Sequence, residues 1–456
     1  MKSLLKKICL CSMGIFLGTQ ITISASASAD TTTAVTTDTT TAVTTAVNAP
    51  DPVITSLKVA PTGNSYYVAT DGDDNNPGTK KKPFATLMKA QQAANAGDTV
   101  FIRGGFYNML TVANTANVGK TPYHYVLEFD KSGITYRGYN TEIPVFDFSN
   151  IPTDARVAGF HITPAASDVT FQQFEVTGIK VGSNQRQAEG FRIEGKNVNL
   201  NLVNVHDTQA VGIYYIGHST GKVYRCDSYN NIGLPGTNYE NTSIGNCDGF
   251  GAHGDGTIFK ECRAWNNSDD GYDCINVHGP VVFDSCWAFD MNAGGDSNGF
   301  KVGGFARAAQ TVVPSVHTVT NCIAADNGQH GFYANHQPSQ AATWINNTSY
   351  NNKTGNFNML ECATLIDGTD IPGTREVLNH NLAYKNNTLD QANLPAENNT
   401  NNSWNLDGVT MTDADFQSLD MNQLSKPRSI DGTLPSITFM KPTDSEKFAG
   451  LGNIYK

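Results

Sequence analysis

Residues 259–267 read FKECRAWNN, and the phrase returns along the chain with some variation. It recurs as VYRCDSYNN ending at Asn231, FDSCWAFDMN ending at Asn292, VTNCIAADN ending at Asn327, INNTSYNN ending at Asn352 and LNHNLAYKNN ending at Asn387. Aligned on their Cys or Asn, the copies place Cys226, Cys262, Cys286, Cys322, Asn347 and Asn381 at separations of 36, 24, 36, 25 and 34 residues. A second phrase, Gly or Asn before a large apolar residue, keeps step with the first: Gly190-Phe191, Gly212-Ile213, Gly249-Phe250, Gly271-Tyr272, Gly299-Phe300, Gly331-Phe332 and Asn356-Phe357. Two short alternating phrases per repeat, with variable insertions and no helical period, describe a coil of strands.

A unit of this size cannot bury its own apolar face and does so by stacking on its neighbours. The repeat therefore predicts an all-β fold, a right-handed parallel β-helix (solenoid), with equivalent residues stacked at roughly 4.8 Å. The aligned cysteines become an interior stack, and the terminal asparagines a hydrogen-bonded ladder at a bend. Thr86 to Ala96 carries Leu87, Ala90, Ala93 and Ala94 on one face, a short helix suited to cap the N-terminal end, with the coil starting at Thr99 to Arg103. After about Ser403 the repeat fades into an acidic tail expected to pack along the side of the coil. The competing β-sandwich would not share a phrase at this period.

The chain opens with Lys2, Lys6 and Lys7, an apolar run from Ile8 to Leu17 and small residues at Ala25, Ala27 and Ala29. Residues 1–29 read as a secretory signal peptide, too short in its apolar run to span a membrane. Residues 30–64, with TTTAVTTDTTTAVTT, read as a Thr-rich linker, and 65–456 as the β-helix domain with its irregular tail. The mature protein is expected to be secreted, monomeric and free of membrane. Loss of the three lysines takes the formal charge from -11 to -14, which argues against nucleic acid as a partner. Of nine cysteines, Cys9 and Cys11 leave with the signal, and the odd seven that remain do not suggest a disulfide framework.

Stacking the second phrase gathers charge. The residue before each Gly is Glu189, Val211, Asp248, Asp270, Asn298 and His330; the residue two after it is Arg192, Tyr214, Gly251, Asp273, Lys301 and Tyr333. Asp248 and Asp270 thus share one column, Asp273 and Lys301 another, and Asp269 joins from the same bend. Carboxylates so close repel one another unless a cation intervenes. Several hard oxygen ligands on bends suit Ca²⁺, and no His or Cys pattern here suggests zinc. A structural ion, or a solvated acidic bend with Asp273 paired to Lys301, would account for an acidic run alone. A lysine one turn away adds chemistry: beside a divalent cation that draws electrons from a uronate carboxylate, a neutral amine can remove the proton of the adjacent carbon, and the β-glycosidic bond is expelled.

At these residues the chain resembles the polysaccharide lyase family 9 pectate lyases. The resemblance rests on YYVATDGDDNNPGT with PFATLMKAQQAANAGDTVFIRGGFY, and on NCDGFGAHGDG, NNSDDGYDCIN and NGFKVGG, and runs from about Tyr66 to the C-terminus. It implies a parallel β-helix and Ca²⁺-dependent β-elimination on polygalacturonate or pectin. By motif it implies Asp248, Asp269, Asp270 and Asp273 as metal ligands and Lys301 as the base. The family also includes lyases of other acidic polysaccharides such as rhamnogalacturonan.

Other polar residues carry weaker signals. Asp71, Asp73 and Asp74 fit a turn before Pro77 better than an ion site. His253, His278, His330 and His336 suggest structural or subsite roles, while Arg192, Arg263 and Arg307 could pair with uronate carboxylates. A hydrolase would use paired carboxylates as acid and base, but the Gly-His-Gly and Arg-Ile-Lys motifs of such β-helical hydrolases do not occur. A uronan C5 epimerase and a non-catalytic carbohydrate-binding solenoid are the remaining rivals.

Overall fold

The structure is a computed structural model that describes residues 62–453, apart from 182–186, 235–245, 276, 304–314, 336–339, 360–375, 392–393, 409, 445 and 449. The signal peptide, nearly all of the Thr-rich segment, Arg307 and His336 lie outside the described residues. Short parallel strands wind into a β-helix, as the repeat predicts. One face is an 11-stranded sheet running through Arg156–Ile162, Glu189–Ile193, Val211–Ile216, Phe250–His253, Tyr272–Cys274, Phe300–Val302, His330–Tyr333 and Gly355–Met359. We call it the site sheet. Each turn contributes two further strands, such as Gly256–Lys260 and Arg263–Trp265, to a second hydrogen-bonded surface of 20 strands.

The two phrases fold as two columns. On the site sheet the large apolar residues point inward and stack face to face: Phe250 on Tyr272 at 4.9 Å, Tyr272 on Phe300 at 4.6 Å and Phe300 on Phe332 at 5.1 Å between ring centroids. The glycine before each allows the turns to close, since a Cβ on Gly271 would lie 2.6 Å from the carbonyl oxygen of Gly299. Cys226, Cys262, Cys286 and Cys322 form the interior stack and are fully buried free thiols. The column continues as asparagines, with Asn347 Nδ2 donating to Asn381 Oδ1 at 3.0 Å and Asn381 Nδ2 to Asn402 Oδ1 at 2.8 Å.

At the bend after each outer strand, the first residue of the Asn pair adopts positive φ, as at Asn230, Asn266, Asp290, Asp326 and Asn351. Asn and Asp tolerate that conformation better than other residues with a Cβ. The following residue turns inward to build the ladder: Asn231 Nδ2 donates to Asn267 Oδ1 at 2.9 Å, and Asn327 Nδ2 to Asn352 Oδ1 at 2.8 Å. Asn292 does not belong to it. Five residues on from Cys286 the ladder position is Met291, fully buried, whose N–H donates to Asn327 Oδ1 at 3.3 Å, while Asn292 is exposed and bonds Asp290.

The capping helix is Leu87–Ala93, with Thr86 as its N-cap accepting from the Lys89 N–H at 3.1 Å. Asp74 accepts from the backbone N–H groups of Ala85 and Thr86, so the acidic turn braces this cap. The coil begins earlier than the sequence suggests, because Ser65–Val68 already pairs in parallel with Thr99–Ile102. The tail lies against the outer strands, where Phe416, Leu424 and Phe439 pack on Phe289, Ile323 and Leu382. Arg428 and Arg263 latch it by pairing with buried Asp227, and Arg263 also donates to the carbonyls of Leu424 and Lys426. Among the described residues no helix is long and apolar enough to cross a membrane.

Candidate functional site

Register places the acidic residues as the aligned phrases imply. Gly251, Asp273, Lys301 and Tyr333 are successive partners across the site sheet. The column before the glycines is a hydrogen-bonded ladder of its own. Asp248 Oδ1 accepts the Asp270 N–H at 3.2 Å, Asp270 Oδ1 accepts the Asn298 N–H and Nδ2 at 2.8 Å each, and Asn298 Oδ1 accepts the His330 N–H at 3.2 Å. Each carboxylate is therefore held by the turn above it, and one oxygen of each side chain is committed to the backbone.

The remaining oxygens converge. One carboxylate oxygen from each of Asp248, Asp270 and Asp273 lies within 4.8 Å of the others, and Asp270 forms a second such group with Asp269 and Asp296. All four predicted aspartates are buried, Asp270 completely. Lys301 Nζ lies 3.0 Å from Asp270 Oδ2, 3.8 Å from Asp273 Oδ2 and 2.9 Å from Asp296 Oδ2. The structure thus gathers the other four predicted residues around Asp270. It adds Asp296, which sequence reasoning left outside the site; Asp296 reaches Lys301 because its loop folds back so that its N–H donates to Asp269 Oδ1 at 2.6 Å. Gly295 permits this approach, since a Cβ there would meet the Ser268 carbonyl oxygen at 2.0 Å.

Electrostatics follow from burial and like charge. Burial, then the neighbouring aspartates, raises the Asp248 carboxyl well above its usual range; Asp269 is raised in the same way by burial and Asp270. Burial pushes Asp270 up to about 6 even against the pull of Lys301, and it raises Asp273 as well. Burial opposes the charge on Lys301, but Asp270, Asp273, Asp296 and Asp269 outweigh it and hold the ammonium well above its ordinary range. One lysine thus faces four buried carboxyl groups and the exposed Asp296, more acid than a single ammonium can pair. Asp273 Oδ1 is moreover a buried acceptor without a hydrogen bond, and Asp270 Oδ2 meets only the Lys301 ammonium, at 3.0 Å. Clustered hard oxygens are what an oxygen-seeking divalent cation such as Ca²⁺ requires, so the donor set fits that ion.

The other candidates sort by their partners. His253 is half-buried and its pKa is pushed down to about 3, by desolvation first and Lys301 second; its Nδ1 meets the Tyr214 hydroxyl at 3.1 Å, and its Nε2 lies 3.9 Å from Asp273 Oδ1. His330 bridges Asn298 and Asn358 at 3.0 Å each. Arg192 and Arg263 are not available to a ligand. Arg192 is buried against Glu189 and Glu194, and Arg263 is occupied by Asp227.

A parallel β-helix that stacks a lysine among buried carboxylates on one sheet has the architecture of a polysaccharide lyase, and this chain is one. It belongs to the family described as Pel9A-like, right handed beta helix region, whose profile matches residues 66–387 and which comprises the family 9 pectate lyases. The chain is similar to pectate lyase L of Dickeya chrysanthemi, at 29% identity over 86% of each protein. It is also similar to pectate lyase PEL9 of Emericella nidulans, at 27% identity over 87% of this chain and 96% of the relative. Among solved structures, a rhamnogalacturonan lyase is 32% identical with a TM-score of 0.75, covering 86% of this chain and 99% of its own. The pectate lyase Pel9A is 26% identical with a TM-score of 0.64, covering 86% and 92%.

Proposed function

We propose that the protein is a secreted, Ca²⁺-dependent pectate lyase that cleaves (1,4)-α-D-galacturonan by β-elimination to 4,5-unsaturated oligogalacturonates. Lys301 is the Brønsted base, and Asp248, Asp269, Asp270 and Asp273 are the metal ligands. The observation that carries this reading is the place of Lys301 Nζ, on the same sheet face as the carboxylates and 3.0 Å from Asp270. When bound, Ca²⁺ supplies positive charge that can pair with a uronate carboxylate and offsets the negative charge of the site.

The chain's own residues do the rest. Asp270 and Asp273 keep Lys301 Nζ at the face of the sheet, and the Asn298 N–H and side-chain amide of the next turn fix the Asp270 carboxylate. As a neutral amine, Lys301 takes the C5 proton of the uronate. The C5–H electron pair becomes the C4–C5 double bond, and the C4–O bond breaks toward the departing saccharide, which takes its proton from solvent. Because the aspartates hold the Lys301 proton, the amine form is favoured as pH rises and as their charge is offset, so activity is expected to rise on the alkaline side. A chain of negative net charge binding a polyanion also calls for a cation between them.

A second reading, a lyase of rhamnogalacturonan, is supported by the similarity to a rhamnogalacturonan lyase at a TM-score of 0.75. The test is to incubate the purified protein with polygalacturonate and, separately, with rhamnogalacturonan, each with Ca²⁺ or with chelator, and to follow ultraviolet absorbance of unsaturated ends. Absorbance on polygalacturonate that chelator abolishes is the expected result. Absorbance on rhamnogalacturonan alone selects the second reading, and hydrolysis products without unsaturated ends would defeat both.

A further inference from the structure

The bend that follows the site sheet gathers three side chains that the proposed elimination does not use. His218, Asp255 and His278 come from three successive coils, just beyond the strands ending at Ile216, His253 and Cys274. Backbone hydrogen bonds set their register: the Asp255 N–H donates to the Ser219 carbonyl at 2.8 Å, and the His278 N–H to the Gly254 carbonyl at 3.0 Å. The side chains converge on one carboxylate. His218 Nδ1 lies 2.9 Å from Asp255 Oδ1 and His278 Nδ1 lies 3.5 Å from the same oxygen, with the two rings 5.4 Å apart. One ligand atom of each residue lies within 4.8 Å of the others.

Two surface imidazoles sharing a carboxylate can be a hydrogen-bonded trio and nothing more. Three features point beyond that. The trio spans three coils, so its geometry is set by the solenoid and not by one loose loop. Its donors, two nitrogens and one oxygen, differ in kind from the all-carboxylate cluster and suit borderline cations better than Ca²⁺. Both rings remain open to solvent, His218 at 76% and His278 at 42% side-chain exposure, so an ion can enter and keep a free coordination position.

We propose that His218, Asp255 and His278 form a second cation site, for Zn²⁺ or a borderline divalent ion of its class, that clamps three coils at the edge of the site sheet. Asp255 lies two residues beyond His253, so the clamp steadies the strand that carries His253 to Asp273.

The test uses the full chain in excess Ca²⁺, which keeps the carboxylate cluster filled. Zn²⁺ is titrated against a chromophoric chelator, and Co²⁺ replaces it for absorption spectroscopy. Wild type is expected to take up one equivalent of Zn²⁺ and to give Co²⁺ ligand-field bands of an imidazole site. His218→Ala and His278→Ala are each expected to weaken binding more than about 100-fold, since loss of outer-shell partners alone costs 10–100-fold. Zn²⁺ should also raise the unfolding midpoint of wild type and leave that of His218→Ala unmoved. The site is overturned if wild type takes up no Zn²⁺ or if both variants bind as it does. Binding that leaves the wild-type midpoint in place overturns the clamp.

Discussion

Asp270→Asn is expected to stabilise the calcium-free protein. Asp270 is fully buried, and burial lifts its carboxyl from 3.8 to about 6 in the folded state. A displacement of about two units corresponds to about 3 kcal/mol. The sign is the reverse of an ordinary paired aspartate. The folded state binds the extra proton between about pH 4 and 6, so stability falls as pH rises through that window, and the deficit is complete above it. Asparagine escapes the deficit while keeping an Oδ1 to accept from Asn298, and Lys301 retains Asp296 and Asp273. Against this, the amide faces the Lys301 ammonium where Asp270 Oδ2 stood, which costs about 1 kcal/mol. The net gain is about 2 kcal/mol near pH 8, passes through zero between about pH 4 and 5 and becomes a loss of up to about 1 kcal/mol at lower pH. The assay is the denaturation midpoint of wild type and variant in chelator at both pH values. In excess Ca²⁺ the order should reverse, because binding at 100 times Kd stabilises wild type by about 2.7 kcal/mol. A calcium-free variant no more stable than wild type at pH 8, or an offset equal at both pH values, refutes the reasoning.

Three further outcomes follow from the same geometry. Lys301→Ala should lower the rate of unsaturated-end formation by about 10²- to 10⁴-fold while calorimetry shows Ca²⁺ affinity kept or raised, since the displaced ammonium no longer competes; full activity would remove Lys301 from the role of base. Asn267→Ala breaks buried hydrogen bonds with Asn231 and Ser228 and should cost about 2–4 kcal/mol, read as a fall in the unfolding midpoint; an unchanged midpoint would mean that the ladder contributes little. Arg428→Met leaves buried Asp227 short of one of its two guanidinium partners and should cost about 3–5 kcal/mol, with faster proteolysis beyond Ser403 as the sign that the tail is released.

The repeat was legible because a parallel solenoid forces equivalent residues to stack, so a phrase aligned in sequence is a column in space. That logic places Asp273 beside Lys301 and Asp248 below Asp270 from the sequence alone. It failed where position ceases to repeat. Asp296 sits on an irregular loop whose length recurs in no other turn, and only folding brings it to Lys301. Met291 occupies a ladder position because a buried methionine can fill what an asparagine bonds, and the neighbouring Asn292 masked the shift by one residue. The fate of Arg263 was open to detection: Asp227 and Arg263 each follow a column cysteine by one residue, and they pair across adjacent strands. Arg192 gives no such signal, since its partners Glu189 and Glu194 are near neighbours at the two ends of its own strand, and side-chain burial there is not written in the alternation.

In the proposed reaction, the placement of Lys301 explains why a base should sit among acids that oppose its function. A lysine alone on the sheet would meet the reacting carbon with little to hold its direction, whereas Asp270 and Asp273 fix Nζ at the cost of stabilising its proton. The same carboxylates that hold the proton are the ones a divalent cation would occupy, so cation uptake and proton release at Lys301 are linked through shared ligands, each favouring the other. Separation of the two functions onto different residues would lose that linkage. Three stacked turns are the smallest unit that can achieve it, because Asp248, Asp270 with Asp273, and Lys301 each come from a different one.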